Sequence, residues 1–435
     1  MTERIQKRAL PSKFVLAVTV GGVIGLGILR GPGEIAEVVT DSTLYLALWL
    51  FAGLFVLLST AVSVELVGMT PRSGGVYSLI RRAYGPYSGF VIGWADWLTY
   101  ATDLAIKAVV IMEFVAILFP ASAAWTTALA ITATTVFAVI QLRGIELGAL
   151  IQQTATSLIG LFIFIMAMVL FFASSVDSAA ASPAAANNSL NDWSLLIATI
   201  IFTYDGWLYA SYFSGEIRGG AGAVGRSCIR GMVVVIALYM LLNLALVKSV
   251  GLAALAGNEL ALARALELAV DPAAGTVVVV AAIVILLSHL NLEYMSGPRV
   301  LQALAEDGLA ARHAQDIGKG GNPVIAVLIT WLVSVILILL GGFEFLLLFS
   351  VFLFIPLYLV LILGVLILRR LEPDTERPVR AWGHPYSTVF CLVAWTVITL
   401  FQAYVERETA LYAVAMVAVS WPVYRFLARK TDTSQ

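Results

Sequence analysis

The sequence predicts an all-α integral membrane protein with about twelve transmembrane helices. Of its 435 residues, 60% are hydrophobic and only 12% are charged, whereas about a quarter of the residues of soluble domains are charged. The apolar runs are also too many and too long to be core helices of a globular protein. They lie near residues 13–38, 43–69, 86–118, 123–142, 148–173, 193–217, 230–250, 274–305, 323–341, 343–368, 386–403 and 409–427.

The basic residues predict the orientation of these helices. With the N-terminus inside, cytoplasmic segments hold 21 of the 26 lysines and arginines, all except Arg30, Lys107, Lys248, Arg264 and Arg407. This is the bias of the positive-inside rule. We therefore expect a multi-pass protein of the cell membrane, of the bacterial inner-membrane kind, with both termini cytoplasmic. The net charge of −1 gives no sign of nucleic-acid binding.

The first apolar run contains a segment that should interrupt its helix. Residues 21–33 include six glycines and one proline, which add backbone entropy and remove a hydrogen-bond donor. An unwound turn at membrane depth is tolerated only where it is buried in protein or lines a cavity, and in secondary transporters such breaks mark substrate sites. The alternative is that the glycines only let helices pack closely.

The sixth run repeats this feature and divides the chain into two halves. Residues 202–207, Phe-Thr-Tyr-Asp-Gly-Trp, form a polar break in mid-segment, five helices after the first break, as expected for inverted repeats. Residues 73–84 and 252–269 occupy equivalent places and are expected to form short helices along the membrane face. The predicted organisation is a tail, two five-helix repeats, two further helices and a tail, at 1–12, 13–173, 193–368, 384–427 and 428–435.

Several motifs together resemble a known family. They are Gly25-Leu26-Gly27-Ile28 with Pro32-Gly33, Glu65-Leu66, Pro71-Arg72-Ser73-Gly74-Gly75-Val76-Tyr77, Gly93-Trp94-Ala95-Asp96, Arg143-Gly144, residues 202–207, and Arg299 with Glu306-Asp307-Gly308. The chain resembles amino acid permeases of the amino acid–polyamine–organocation superfamily, in particular bacterial relatives of the L-type amino acid transporters. The resemblance implies a leucine-transporter-type fold, a 5+5 inverted repeat with discontinuous helices 1 and 6.

The two breaks supply groups for both ends of an α-amino acid. The free N–H groups of Gly25, Leu26 and Gly27 head a half-helix whose dipole favours a carboxylate. Carbonyl groups at the breaks suit the ammonium, and the family pattern makes Phe202 an aromatic gate. The alternative for Phe202 and Tyr204 is ordinary aromatic packing. The predicted substrate site comprises Ile24, Gly25, Leu26, Gly27, Phe202, Thr203, Tyr204 and Asp205.

Two substitutions and one departure bear on this site. A bulky side chain at Gly25 or Gly27 is expected to occupy the place of the carboxylate while the fold persists. Asp205 departs from the L-type pattern, in which glycine is usual. Its carboxylate either contacts the substrate, which would favour a cationic one, or caps the second half of helix 6.

Charged residues inside predicted helices are functional by default, because each is costly to insert. Asp103 and Lys107 are four residues apart on one helix face and are expected to pair; Glu293 lies well inside helix 8. Many relatives carry a lysine in helix 5, but the matching position here is Ile159. Coupling is therefore expected to use Lys107 or Glu293, the alternative being a purely structural Asp103–Lys107 pair.

Arg30 is an unusual charge within the broken first helix. We expect it to reach Glu34, one turn further on, or Asp205 in helix 6. Such a pair would serve either as a gate or as a static stabilising contact.

These patterns favour a secondary transporter of amino acids that works by alternating access, as a proton-coupled symporter or an exchanger. A polyamine or amine transporter is the alternative substrate class, and a nutrient sensor is a third reading that the short tails disfavour. No nucleophile motif or His/Asp/Glu cluster indicates an enzyme. No cofactor, metal or obligate protein partner is expected.

Overall fold

The structure, a computed structural model, describes residues 10–70, 72–175, 189–340 and 343–432. Within these ranges the fold is helical, with two isolated β-bridges and no strand. The helices up to residue 203 are α1 (Ser12–Val23), α2 (Leu26–Val38), α3 (Ser42–Met69), α4 (Gly75–Tyr84), α5 (Pro86–Leu118), α6 (Thr126–Arg143), α7 (Ile145–Phe172) and α8 (Leu190–Thr203). The helices after residue 203 are α9 (Gly220–Ser249), α10 (Leu252–Leu255), α11 (Ala261–Ala269), α12 (Pro272–Glu306), α13 (Val324–Leu340), α14 (Phe343–Leu371), α15 (Tyr386–Val405) and α16 (Arg407–Asp432).

Each predicted apolar run contains a helix at the expected place. The run 13–38 is divided between α1 and α2, and the run 193–217 contains α8 and a 3₁₀ helix, Tyr209–Phe213. Short helices also form where they are predicted, as α4 and as α10 and α11. Helix α16 continues to Asp432, into the residues predicted as the tail at 428–435.

In the described part of the chain, eight helical stretches are long and apolar enough to cross a membrane. Two shorter apolar helices accompany them, α8 with 14 residues and α13 with 17. The long helix α5 carries several charged residues and is not among the eight. The chain is therefore a multi-helix membrane protein, while twelve crossings and the inverted repeat stay predictions.

The helices form an inner group and an outer group. Helix α5 packs along α12, and α1 and α3 pack on α9. The outer helices α7 and α15 expose large apolar side chains, among them Leu158, Leu161 and Val397, which are 58%, 55% and 60% exposed. Exposed apolar surface of this extent is typical of contact with lipid. The polar and charged side chains of the inner helices are therefore kept away from the bilayer.

A buried ion pair connects α12 to the segment that follows the 3₁₀ helix. Arg299 Nε lies 2.7 Å from Glu216 Oε1, and Arg299 Nη2 lies 3.1 Å from Glu216 Oε2. The guanidinium also donates to Asn322 Oδ1 at 3.2 Å and lies 4.8 Å from the centroid of the Phe213 ring. Both charged side chains are less than 10% exposed. Each charge is thus compensated only by partners inside the protein.

We predict that Arg299→Ala lowers the free energy of unfolding by about 3–5 kcal/mol, because it leaves the Glu216 carboxylate buried without its cation. The double variant Arg299→Met/Glu216→Leu removes both charges and should recover most of this loss. Thermal unfolding of the detergent-solubilised protein measures both. Equal stability of the wild type and the single variant would contradict the prediction.

Candidate functional site

The first helix break is a short interruption between α1 and α2. Ile24 ends α1 with an extended backbone, and Gly25 is the N-cap of α2. The N–H groups of the first turn of α2 have no acceptor within their own helix. The Ile24 carbonyl lies 2.9 Å from His289 Nε2 on α12. The break thus leaves N–H donors at the start of α2, while the Ile24 carbonyl at the end of α1 is in contact with His289.

The second break follows α8 and is longer. Tyr204 is the C-cap of α8, and regular hydrogen bonding resumes only in the 3₁₀ helix Tyr209–Phe213. Gly206 lies between them with φ of +95°, a conformation that glycine adopts without strain. The segment between Tyr204 and Tyr209 is therefore irregular, as predicted.

The second break touches the last turn of α1, just before the first break. A Cβ built on Gly206 would lie 2.4 Å from the carbonyl oxygen of Gly22, so the backbones meet too closely for a side chain. The Tyr239 hydroxyl on α9 lies 2.9 Å from the Val23 carbonyl oxygen and 3.3 Å from that of Thr203. One hydroxyl thus joins the carbonyl ends of α1 and α8. No sequence motif marks Tyr239, because it lies within an apolar run and carries no local signal.

The glycines of residues 21–33 do two different things. The break is confined to Ile24 and Gly25, and α2 continues through Pro32 to Val38. A Cβ on Gly33 would lie 2.2 Å from the Asn258 carbonyl oxygen. Several of these glycines therefore permit close helix packing, which is the alternative stated for them.

The side chains predicted at the second break are placed differently from one another. Tyr204 is buried; its hydroxyl donates to the Trp49 carbonyl at 3.1 Å, and its ring packs on Tyr239. This is aromatic packing. The Asp205 carboxylate accepts a hydrogen bond from the Tyr358 hydroxyl on α14. The N-cap of the 3₁₀ helix is Leu208, so Asp205 does not cap the second half of helix 6.

Two cavities lie beside the breaks. The larger, of about 120 Å³, is lined by α2, α8, α14 and α15 and includes Leu26, Gly27, Arg30 and Phe202. The smaller, of about 40 Å³, is lined by α5, the second break and α14, and includes Asp103 and Asp205. Of the predicted site residues, the larger cavity thus takes Leu26, Gly27 and Phe202, and the smaller takes Asp205. Ile24, Gly25, Thr203 and Tyr204 line neither cavity.

The buried charges form one cluster. Lys107 Nζ lies 3.1 Å from Asp103 Oδ2, as predicted, and also contacts Glu293 Oε1 on α12. The Tyr209 hydroxyl donates to Glu293 Oε1 at 2.8 Å, and the Ser350 hydroxyl donates to Asp103 Oδ1 at 2.7 Å. The sequence treats Glu293 and the Asp103–Lys107 pair as separate candidates, whereas the fold joins them in one network.

One turn before Ile159 on α7, the structure has neutral polar contacts. The Thr156 hydroxyl on α7 donates to the Ala17 carbonyl of α1 at 3.1 Å. Gln152 Nε2 donates to that hydroxyl at 3.3 Å, and Asn291 on α12 donates to Gln152 at 3.2 Å. Ile159 is buried. The α1–α7–α12 contact is therefore held without a charge.

The expected partners of Arg30 are wrong. Arg30 Nη2 lies 3.4 Å from Glu259 Oε2 and 3.7 Å from Glu113 Oε2. Glu34 instead accepts a hydrogen bond from the Thr199 hydroxyl at 2.7 Å. The two acidic partners come from α5 and from the segment between α10 and α11, elements that only the tertiary fold brings to α2.

Ion pairs gather at the other end of the helices. Glu65 at the end of α3 binds Arg369 at 2.6 Å and Arg377 at 3.1 Å. Arg82 on α4 binds Glu372 at 2.6 Å, and this hydrogen bond holds the pKa of the Glu372 carboxyl below its usual range, because it favours the ionised form. These contacts connect α3 and α4 to the end of α14.

The motif at 71–77 belongs to this end. Pro71 lies outside the described residues. Arg72 binds Asp307 at 3.1 Å, and the Tyr77 hydroxyl donates to the same carboxylate at 2.6 Å. Gly75 has φ of +55°, and a Cβ there would lie 2.0 Å from the Tyr212 ring. The motif thus packs α4 against α12 and the 3₁₀ helix.

A polytopic helical fold with two facing helix breaks is the architecture of a membrane permease, and comparison with known proteins agrees. The amino acid permease family matches residues 14–423, so the chain belongs to the amino acid permease family. It is similar to the serine/threonine exchanger SteT of Bacillus subtilis, at 25% identity over 89% of each chain. It is also similar to the γ-aminobutyric acid permease of that organism, at 24% identity over 96% of this chain and 94% of the relative. The mouse large neutral amino acids transporter small subunit 2 is 24% identical over 94% of this chain and 78% of its own.

Family membership confirms the recognition of the motifs. The family and these relatives are permeases, transporters and exchangers, not enzymes, as the sequence predicts.

We predict that Gly25→Val abolishes substrate binding, because the new Cβ would lie 2.8 Å from the His289 ring and displace it from the break. His289→Ala in the same chain should restore part of the binding by removing the clash. The matched control is Gly160→Val on α7, where no atom lies within 4 Å of a built Cβ. Binding is measured as the thermal shift caused by the amino acids and amines that stabilise the wild type.

We predict that Gly27→Val destabilises the fold, in contrast to the sequence-based expectation that the fold persists. A Cβ on Gly27 would lie 2.5 Å from Thr203 Cα, and backbone cannot move as a side chain can. We expect this variant to lose thermal stability together with binding. Wild-type stability of Gly27→Val would show that α2 and α8 tolerate separation.

Proposed function

We propose that this protein is a secondary transporter that moves amino acids across the cytoplasmic membrane by alternating access. The contact of the second break with the end of α1, next to the first break, carries the proposal. Donor N–H groups at the start of α2 suit a carboxylate, and the carbonyl ends of α1 and α8 suit an ammonium. Membership of the amino acid permease family supports the amino acid substrate.

The proposed arrangement in the membrane has twelve crossings, two inverted repeats and cytoplasmic termini. In this orientation the larger cavity lies on the outer side of the breaks, and the ion pairs of Glu65, Arg72 and Arg299 lie on the cytoplasmic side. Opening to the cytoplasm would require these pairs to separate. The described conformation is then the one in which the inner path is closed.

Reconstitution tests the proposal. Proteoliposomes loaded with unlabelled amino acids should take up a labelled amino acid by exchange. In alternating access, the transporter that has released the labelled amino acid inside returns to the outward-facing state with an unlabelled one bound. Liposomes without protein are the control. A protein that binds amino acids but moves none would be a sensor, and the proposal would fall.

The network of Asp103, Lys107 and Glu293 is the proposed place of proton coupling, if transport is symport. It connects α5 to α12 and contacts Tyr209 just after the second break. A proton that joins or leaves this network changes the forces between those elements. Exchange needs no such change in charge.

We predict that Glu293→Gln and Lys107→Ala suppress uptake driven by a pH gradient while exchange of labelled for unlabelled substrate continues. Glutamine keeps the shape of Glu293 but cannot carry the proton. The matched control is Glu146→Gln, an exposed carboxylate at the start of α7. Both transport modes are measured in the same proteoliposomes, and accumulation by both variants under the gradient would exclude these groups.

A further inference from the structure

The smaller cavity has a distinctive polar lining. It lies between α5, the second break and α14 and has a volume of about 40 Å³. A space of roughly 10–15 Å³ already holds one water-sized group. Three carboxylates line it: Asp96 and Asp103 from α5, and Asp205 from the break.

Two of these carboxylates have no cation. Asp103 pairs with Lys107 at 3.1 Å. Asp96 accepts hydrogen bonds from the Tyr212 hydroxyl, at 2.8 and 3.0 Å, and Asp205 accepts one from Tyr358. Within the described ranges neither Asp96 nor Asp205 has an ion-pair partner. Both therefore lack a cation: Asp96 is bound by a tyrosine hydroxyl, and Asp205 by a tyrosine hydroxyl and the Gly206 backbone N–H.

The Lys107 ammonium, beside the cavity, is shared between two carboxylates. Lys107 serves Asp103 and also Glu293, and Tyr209, which lines the cavity, donates to the same Glu293 oxygen. The other oxygen, Glu293 Oε2, is buried and has no hydrogen-bond partner among the residues that the structure describes. One ammonium thus pairs with two of the four carboxylates in and beside the cavity, in a place where unpaired charge is costly. A positively charged ligand would offset this excess.

Aromatic rings complete the enclosure. Tyr100, Tyr209, Tyr212 and Tyr358 line the cavity and are largely buried. The Tyr100 ring lies edge-on to Tyr209 and Tyr212, with centroid distances of 5.7 and 5.2 Å. Faces of aromatic rings attract ammonium groups. Carboxylates and tyrosine rings together suit an organic cation better than an anion or an apolar chain.

We propose that this cavity binds the side-chain ammonium of the substrate, so that the transported solutes are basic amino acids and diamines. The inference rests on the proposed function, which places the first charged groups of the substrate at the breaks. Asp205 and Gly206 belong to the second break and also line the cavity. In this proposal an extended amine starts at the break and places its other end beside Asp96 and the tyrosines, which line the same cavity.

The test compares lysine, which carries a carboxylate and two ammonium groups, with cadaverine, which lacks the carboxylate, and with leucine, which lacks the side-chain ammonium. Binding and exchange are measured for the wild type, Asp96→Asn, Asp205→Asn and the control Asp374→Asn, an exposed carboxylate outside the cavity. Asparagine at 205 keeps the backbone carbonyl. Each cavity variant should lose at least about tenfold in affinity for lysine and cadaverine, since a charged hydrogen bond is lost. Leucine affinity should change less than about threefold.

The outcomes separate the two proposals. Binding of lysine alone restricts the substrates to basic amino acids, and binding of cadaverine as well includes diamines; both support the cavity assignment. Transport of leucine without recognition of lysine or cadaverine, whether or not it depends on Na⁺, overturns the cavity assignment. The proposed function stays in place in that case. Cadaverine uptake without uptake of any amino acid contradicts the proposed function and retains the cavity. If Asp96→Asn does not fold, Asp205→Asn decides alone.

Discussion

The centre of the molecule depends on pairing the backbone groups of two helices that stop inside an apolar core. Each unpaired carbonyl or N–H group there costs several kcal/mol. The carbonyl ends of α1 and α8 share the Tyr239 hydroxyl, and the Ile24 carbonyl has His289. The N-terminal turn of α2 keeps its donors. The structure therefore gives the carbonyl groups of the break partners inside the protein, while the N–H groups of the first turn of α2 have no acceptor within their own helix.

Close backbone contact makes this pairing feasible. Gly22 and Gly206 meet where a side chain on either would clash, and Gly27 does the same against Thr203. The glycines that look like helix breakers are thus mainly positions where two segments approach each other. The first break needs only the two residues Ile24 and Gly25 to be unwound, because the longer second break supplies the remaining irregular backbone.

The buried charged side chains around Lys107 are also paired inside the protein, but the carboxylates there outnumber the cations. Lys107 connects α5 to α12 through Asp103 and Glu293, while Asp96 and Asp205 rely on tyrosine hydroxyls. A carboxylate excess in a largely buried place weakens the resting structure and strengthens its attraction for a cation. Since Asp103 both lines the smaller cavity and binds Lys107, the cavity and the charge network belong to one electrostatic system. Ion pairs at the far end, such as Arg299–Glu216, are instead fully compensated.

The sequence by itself determined the membrane class, the helical segments, the position of both breaks and the Asp103–Lys107 pair. Each of these depends on local properties: the length of apolar runs, the conformational freedom of glycine, and the spacing of i and i+4 residues on a helix face. The tertiary structure alone decided the partners of Arg30, the hydrogen bond of Asp205 to Tyr358 and the union of Glu293 with Lys107. It also placed Tyr239 and His289 at the breaks. These contacts join residues from distant helices, and their geometry depends on how the helices dock, which no local pattern encodes.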